Sequence, residues 1–442
     1  ELKMDFLKEF SKLKKVSLPN GLKIVFLQRK NLPLINMCFL LNAGAVTDSI
    51  EKEGISSLTF ELLFKGTKKR TAFQIANEID SAGAILTCST GLDYSLIIGE
   101  FLSKDMRKAF EILSDITLNC TFPPKELEKI RKKRIDKLKE EKDNPSYLAS
   151  KEFFKNLFNH HPYGNSILGR VETISTINER DIFNHYWNYA NPRSSILSLV
   201  GDFDDNRALK LIEEFFGKWD TNIKMKNNIT RPPRIKGRKI IVMNKPEMTQ
   251  SQIRLGNIGF PRGHSDYFPA IIANTILGGS FTSRLVSEIR VKRGLTYHIN
   301  SNFSSFKMGG AFYVSTFTEN KSTFKLLEIV LSEMRKMREF YCSDEEIEKA
   351  KKYIKGIFPL KFETNENIAL LLAEMEFYDL KLDFIIDYYS KLDRVSKEEV
   401  NKIANKYFDW ENFCLFILGN AEEIKNDIKQ LGEIKILKEN NK

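Results

Sequence analysis

The sequence predicts an α+β protein of two homologous domains, each a mixed, mainly antiparallel sheet with helices packed on one face. Three observations carry this reading. The 442 residues exceed what one hydrophobic core usually organises. An internal repeat pairs Lys125-Glu-Leu-Glu-Lys-Ile-Arg with Glu345-Glu-Ile-Glu-Lys-Ala-Lys, and Ser81-Ala-Gly-Ala with Lys292-Arg-Gly-Leu, at offsets of 220 and 211 residues. A period that long marks a duplicated domain, because solenoid units repeat every ~20–50 residues. Between the copies, residues 221–238 are polar and lysine-rich and contain Pro232-Pro233, the composition of a linker that permits hinge motion. The expected domains are therefore 1–220 and 239–442.

The elements follow in order. Val16–Gln28 reads as a hairpin around Asn20-Gly21, and Leu34–Asn42 as the next strand. Ser56–Phe64 and Ala72–Ala82 have helical periodicity; Ile85–Ser89 and Tyr94–Phe101 alternate like strands. Lys104–Cys120, Pro124–Asp143 and Ser146–Phe158 read as helices, the second started by Pro123-Pro124 and its repeat by Ser343-Asp344. Ser195–Asp202 reads as a strand, Asp205–Lys218 as an amphipathic helix, and Lys239-Ile-Ile-Val-Met opens the second copy. Strands grouped together and helices grouped together imply α+β layering.

Hydrophobic residues make up 42% of the chain and charged residues 29%, an ordinary globular balance, and the 33 phenylalanines are enough for two cores. No apolar run approaches the ~18–20 residues of a transmembrane helix. The net charge is +11 and unevenly spread, with a dense Lys/Arg run over Arg131–Lys142 that has Glu140 and Glu141 at its end. This run reads as a solvated helix face, with steering of an acidic partner as the sharper alternative. It lacks interleaved aromatics, which argues against nucleic acid. The five cysteines are scattered, odd in number and without a C-x-x-C pair, so they imply no disulfide framework. The chain starts at Glu1. Signal removal would place it in the periplasm or another extracytoplasmic space, and trimming would leave it cytoplasmic.

A series of motifs then resembles one family. Leu18-Pro-Asn-Gly-Leu-Lys, Asn42-Ala-Gly-Ala, Leu63-Phe-Lys-Gly-Thr, His161-Pro-Tyr-Gly and Val200-Gly-Asp occur in the first half. Ile276-Leu-Gly-Gly-Ser-Phe-Thr-Ser-Arg-Leu and Glu288-Ile-Arg-Val-Lys-Arg-Gly-Leu-Thr-Tyr occur in the second. In order and spacing, from about Leu18 to about Gly419, the chain resembles the pitrilysin/mitochondrial-processing-peptidase family of inverted-motif zinc peptidases. Active members carry His-x-x-Glu-His on the first helix, two histidines on one face holding zinc and the glutamate activating water. Anchoring on Leu62–Thr67 puts Ser57 and Glu61 at the histidine positions and Phe60 at the base. The family's third ligand lies eight residues before a helix-starting proline, and counting from Pro145 gives Lys137, whose ammonium has no lone pair. The resemblance thus implies no metal in this chain. Glu61 and Lys137 are expected either to pair in the zinc's place or to point to solvent. His160 and His161 belong to a family turn and are poor metal ligands side by side; His185, His264 and His298 read as ordinary surface or core residues.

What the resemblance retains is Arg290 and Tyr297, the family's Arg/Tyr pair, which in relatives reaches the zinc site and helps hold substrate and developing oxyanion. It implies a non-catalytic, substrate-binding subunit of a heterodimeric zinc metalloendopeptidase. The partner would be a homologous zinc-bearing subunit, Arg290 and Tyr297 would act in trans, and the substrate would be a peptide or unfolded polypeptide. The alternative is a structural assembly subunit without a proteolytic role, as the core proteins of respiratory complexes resemble. An autonomous peptidase has no supporting Ser/His/Asp or Cys/His constellation in the sequence.

Overall fold

The structure, a computed structural model, describes residues 9–220 and 229–438, so positions 221–228 of the expected linker lie outside the described residues. In the first half the strands are β1 (Lys14–Ser17), β2 (Lys23–Gln28), β3 (Leu34–Leu41), β4 (Ile85–Thr90), β5 (Ser95–Leu102) and β6 (Ser195–Gly201). The principal helices are α1 (Ile55–Leu62), α2 (Ala72–Ser81), α3 (Met106–Leu118), α4 (Pro124–Lys142), α5 (Pro145–Phe158), α6 (Glu179–Tyr189) and α7 (Asp205–Phe216). The β1–β2 hairpin turns at Asn20-Gly21, where Gly21 has φ +93° and the Asn20 amide donates to the carbonyls of Phe216 and Trp219. A side chain at Gly21 would meet both the left-handed backbone and Arg193.

The second half supplies β7 (Arg238–Asn244), β8 (Gln250–Ile258), β9 (Ile299–Ser305), β10 (Gly310–Glu319), β11 (Phe413–Gly419) and β12 (Ile434–Lys438). Its principal helices are α8 (Tyr267–Leu277), α9 (Thr323–Glu339), α10 (Asp344–Ile357), α11 (Asn365–Phe377), α12 (Lys397–Tyr407) and α13 (Ala421–Ile428). The two six-stranded sheets have orders β1-β2-β6-β3-β5-β4 and β12-β7-β11-β8-β10-β9. Five strands correspond in the two orders, β2, β6, β3, β5 and β4 matching β7, β11, β8, β10 and β9. Only the outermost position differs: β1 is antiparallel to β2, whereas β12 is parallel to β7. The repeat glycines Gly83 and Gly294 share φ values of +58° and +61°. The repeat helices begin as their sequences imply, α4 at Pro124 and α10 behind a Ser343/Glu346 capping box.

The expected mixed sheet with helices on one face describes what each half contributes by itself. In the first sheet Ile35, Met37, Phe39 and Leu41 of β3 enter the helix-covered core, where Phe39 lies 5.7 Å from Phe216 and 6.0 Å from Trp219. The alternate residues Asn36, Cys38 and Leu40 are buried as well. They are covered by α11, from the other end of the sequence, which packs on β3 and β6. Reciprocally, α5 packs on β8 and β11 of the second sheet. One compact unit is accordingly Glu1–Lys139, Asn165–Asn228 and Pro359–Leu382; the other is Glu140–Gly164, Ile229–Phe358 and Asp383–Lys442. The repeat is contiguous in sequence, but the compact units exchange a helix.

Candidate functional site

In the first unit the positions that the resemblance assigns to metal ligands and base, Ser57, Phe60, Glu61 and Lys137, fall on α1 and α4. Glu61 is held by Arg134, whose Nη2 donates to Oε2 at 2.7 Å, while Nη1 donates to the Ser57 hydroxyl at 2.8 Å. Arg134 is 7% exposed and belongs to the buried stripe Leu127, Ile130, Arg134 and Leu138 of α4. Its 3–4–4 spacing is what turns that stripe toward the neighbouring helices. Lys137, the cation expected opposite Glu61, lies on the exposed side of α4. Three residues along a helix rotate a side chain by about 60°. That rotation gives the inward position to Arg134, so the ion pair forms one turn earlier than counting from Pro145 suggests. Phe60, at the base position, is 1% exposed and meets Tyr186 edge-on at 6.2 Å. It belongs to the hydrophobic core.

These residues do not fit zinc. A serine hydroxyl, a phenyl ring and a carboxylate already bound to a guanidinium offer no ligand set, and the Arg134 charge opposes a dication. Among the described residues no group of three or more His, Cys, Asp or Glu side chains is placed to hold a metal ion. Beside Glu61 lies a cleft of about 400 Å³, walled by Phe64, Ile75, Ile79 and Leu86 and reaching Cys88 on the edge strand β4. Burial and the nearby Glu61 carboxylate push the Cys88 thiol up to about 11, which keeps it protonated and a poor nucleophile.

The residue next to Ser57 anchors a network that the sequence reading did not identify. Ser56 Oγ donates to Asp48 Oδ1 at 2.5 Å and lies 2.8 Å from His185 Nε2. Asp48 also accepts from the Gly54 and Ser56 amides, at 2.9 and 3.2 Å. Gly54 must be glycine, since its φ is +93° and a β-carbon would lie 2.7 Å from Gly169 Cα. The trio is not a catalytic triad. Serine, not histidine, is central, Asp48 and His185 stand 4.0 Å apart, and Ser56 is 0% exposed. Burial pushes the Asp48 carboxyl up to about 7 and His185 down to about 4.

In the second unit Arg290 ends a π-helical turn, Val286–Val291, and Tyr297 follows the Gly294 turn just before β9. Glu288 binds Lys292 and Arg293, and among the described residues Arg290 has no carboxylate partner; its guanidinium lies 5.1 Å over the exposed Phe281 ring. Tyr297 is 83% exposed. Both therefore keep unused hydrogen-bond donors at the surface. His161, by contrast, is committed: Nδ1 accepts from the Tyr163 amide at 3.1 Å, so Nε2 donates to the Thr230 carbonyl at 2.8 Å. His160 and His298 are exposed, and His264 is half-buried.

Comparison with known proteins agrees with this fold. Residues 25–171 match the insulinase (peptidase family M16) domain, and residues 176–354 match the peptidase M16 inactive domain. An uncharacterized zinc protease of Rickettsia bellii is 30% identical over 77% of this chain and 81% of its own length. One from Bacillus subtilis is 25% identical over 92% of this chain and 98% of its own. Among solved structures, a peptidase M16 inactive domain from Pseudomonas fluorescens superposes with a TM-score of 0.84 at 24% identity, covering 92% of this chain and 98% of that one. A protease from Helicobacter pylori superposes with a TM-score of 0.86 at 21% identity, covering 92% and 99%. Motif order, duplicated sheets and these relatives together make the chain a member of the M16 peptidase family.

Proposed function

We propose that this chain is the non-catalytic, substrate-binding subunit of a two-chain zinc endopeptidase. A homologous partner carries zinc, and this chain lends it Arg290 and Tyr297. The observation that carries the reading is an asymmetry. The metal positions of the first unit are filled by an internal Ser57–Arg134–Glu61 cluster, while in the second unit a guanidinium and a phenol stand exposed with free donors. Surface donors without internal partners suit an oxygen supplied from outside, such as a peptide carbonyl or the oxyanion derived from it. The edge strand β4, paired only with β5 and bordered by the apolar cleft, suits an extended polypeptide that adds as a further strand.

The test is co-expression with a zinc-bearing homologue followed by peptide-cleavage assays on the pair and on each chain. The pair is expected to cleave with zinc in the partner only. Arg290→Ala and Tyr297→Phe should each lower kcat by about 10²–10³-fold, as for loss of an oxyanion donor. Cleavage by the isolated chain would overturn the proposal. Full turnover by a pair carrying both substitutions would leave the assembly role in its place.

A further inference from the structure

A second cavity, in the second unit and lined by neither Arg290 nor Tyr297, has the composition of an anion pocket. It encloses about 190 Å³. Its walls are apolar and aromatic, formed by Phe260, Tyr407, Met308 and Pro232. Three cations line it, Arg231, Arg234 and Lys406, and among the described residues no carboxylate does. Asp266, two residues from His264, is already committed, its Oδ2 accepting from Lys406 Nζ and from the Tyr407 hydroxyl, each at 2.6 Å. Arg234 spends one N–H on the Lys406 carbonyl and lies 5.5 Å over the Tyr407 ring, which orients the guanidinium and leaves its other donors unused. Arg231 is exposed and makes no ion pair or hydrogen bond among the described residues. His264 Nδ1 accepts from the Asp266 amide at 3.1 Å, so the neutral ring carries its proton on Nε2, another donor at this cavity.

We infer that this cavity binds a carboxylate carried on an apolar or aromatic body, the carboxylate held by Arg231 and Arg234 and the body packed against the apolar wall that includes Phe260, Met308 and Pro232. A planar guanidinium matches a carboxylate through two parallel hydrogen bonds, and two unshared guanidiniums beside an aromatic wall select charge and apolar bulk together. Inorganic phosphate would satisfy only the charged rim. The cavity volume suits one ring-sized group rather than a longer segment. The carboxylate can come from a free small acid or from the C-terminus of a polypeptide.

The experiment uses the full chain and calorimetric titration with N-acetylphenylalanine, its amide, and a pentapeptide ending in free phenylalanine. N-acetylphenylalanine should bind, and affinity should fall as salt is raised. The amide should bind at least about ten-fold more weakly, the equivalent of losing one charge-assisted hydrogen-bonded pair. The double variant Arg231→Ala/Arg234→Ala should lose binding with its melting temperature unchanged. Met308→Trp, which fills the cavity and keeps both guanidiniums, should lose it too. Pentapeptide binding as tight as that of the single residue assigns polypeptide C-termini, and binding of N-acetylphenylalanine alone assigns a free small acid; both uphold the site. Equal binding of acid and amide, or undiminished binding by either variant, overturns it.

Discussion

Arg134 shows how one side chain redefines a site. Its guanidinium bridges Ser57 and Glu61 from within an otherwise apolar stripe of α4, so the chain itself supplies a positive charge beside the Glu61 carboxylate. Glu61→Ala should destabilise the fold by about 1–3 kcal/mol, because it strands a buried guanidinium; the carboxylate's one-third exposure keeps the cost below that of a fully buried pair. Denaturant unfolding checks this, and Glu61→Leu combined with Arg134→Met should recover much of the loss. Rebuilding the ligand set with Ser57→His, Phe60→Glu and Glu61→His should still fail to bind zinc until Arg134, which holds the inward position on α4, is also replaced by glutamate. Metal content after dialysis reads the outcome. The Asp48–Ser56–His185 network makes a separate prediction about pH. Asp48, raised to about 7, contributes stability present below its unfolded value of 3.8 and lost as pH rises through 7. His185, lowered to about 4, contributes stability present above 6.5 and lost as pH falls through 4. Between pH 4 and 6.5 the folded pair holds one proton on Asp48 and the unfolded pair one on His185, so the two slopes cancel. Asp48→Asn should uncover the histidine alone, stability then falling by about 3 kcal/mol from pH 6.5 to 4. A wild-type-like flat profile in that variant would refute the assignment.

At the scale of elements, the exchanged helix α5 is fixed to its sheet by a buried cation that has no counter-ion among the described residues. Arg254 of β8 is 3% exposed and gives its donors to neutral oxygens: Ser150 Oγ at 3.0 Å, the Ser146 carbonyl and hydroxyl at 3.1 and 2.9 Å, and the carbonyls of Ile253 and Thr316. Burial lowers its pKa to about 10, leaving it charged at neutral pH. Arg254→Ala removes those bonds and opens a cavity, and should cost about 3 kcal/mol in thermal or denaturant unfolding. Arg254→Met keeps the length without the charge to desolvate and should cost less. Sequence patterning located α5 as a helix, yet gave no sign that it meets the sheet of the second copy. A helix shows which residues form its apolar stripe but not which sheet that stripe covers.

For the whole molecule, the exchange of α5 and α11 makes each half incomplete. A fragment ending at residue 220 lacks α11 and leaves Cys38, Leu40 and their neighbours on β3 and β6 uncovered. Such a fragment should aggregate or show only molten packing, and co-expression with residues 229–442 should restore cooperative unfolding. Stable folding of the isolated first half would show that α11 is dispensable. The sequence by itself determined the duplication and the order of strands and helices in the first half, because these depend on residue type, spacing and periodicity. Only the tertiary structure decided that Arg134 takes the place opposite Glu61, that Asp48, Ser56 and His185 converge, and that each unit is closed by a helix from the other half. Those outcomes turn on rotations of about 60° and on contacts between segments hundreds of residues apart, which no local pattern records.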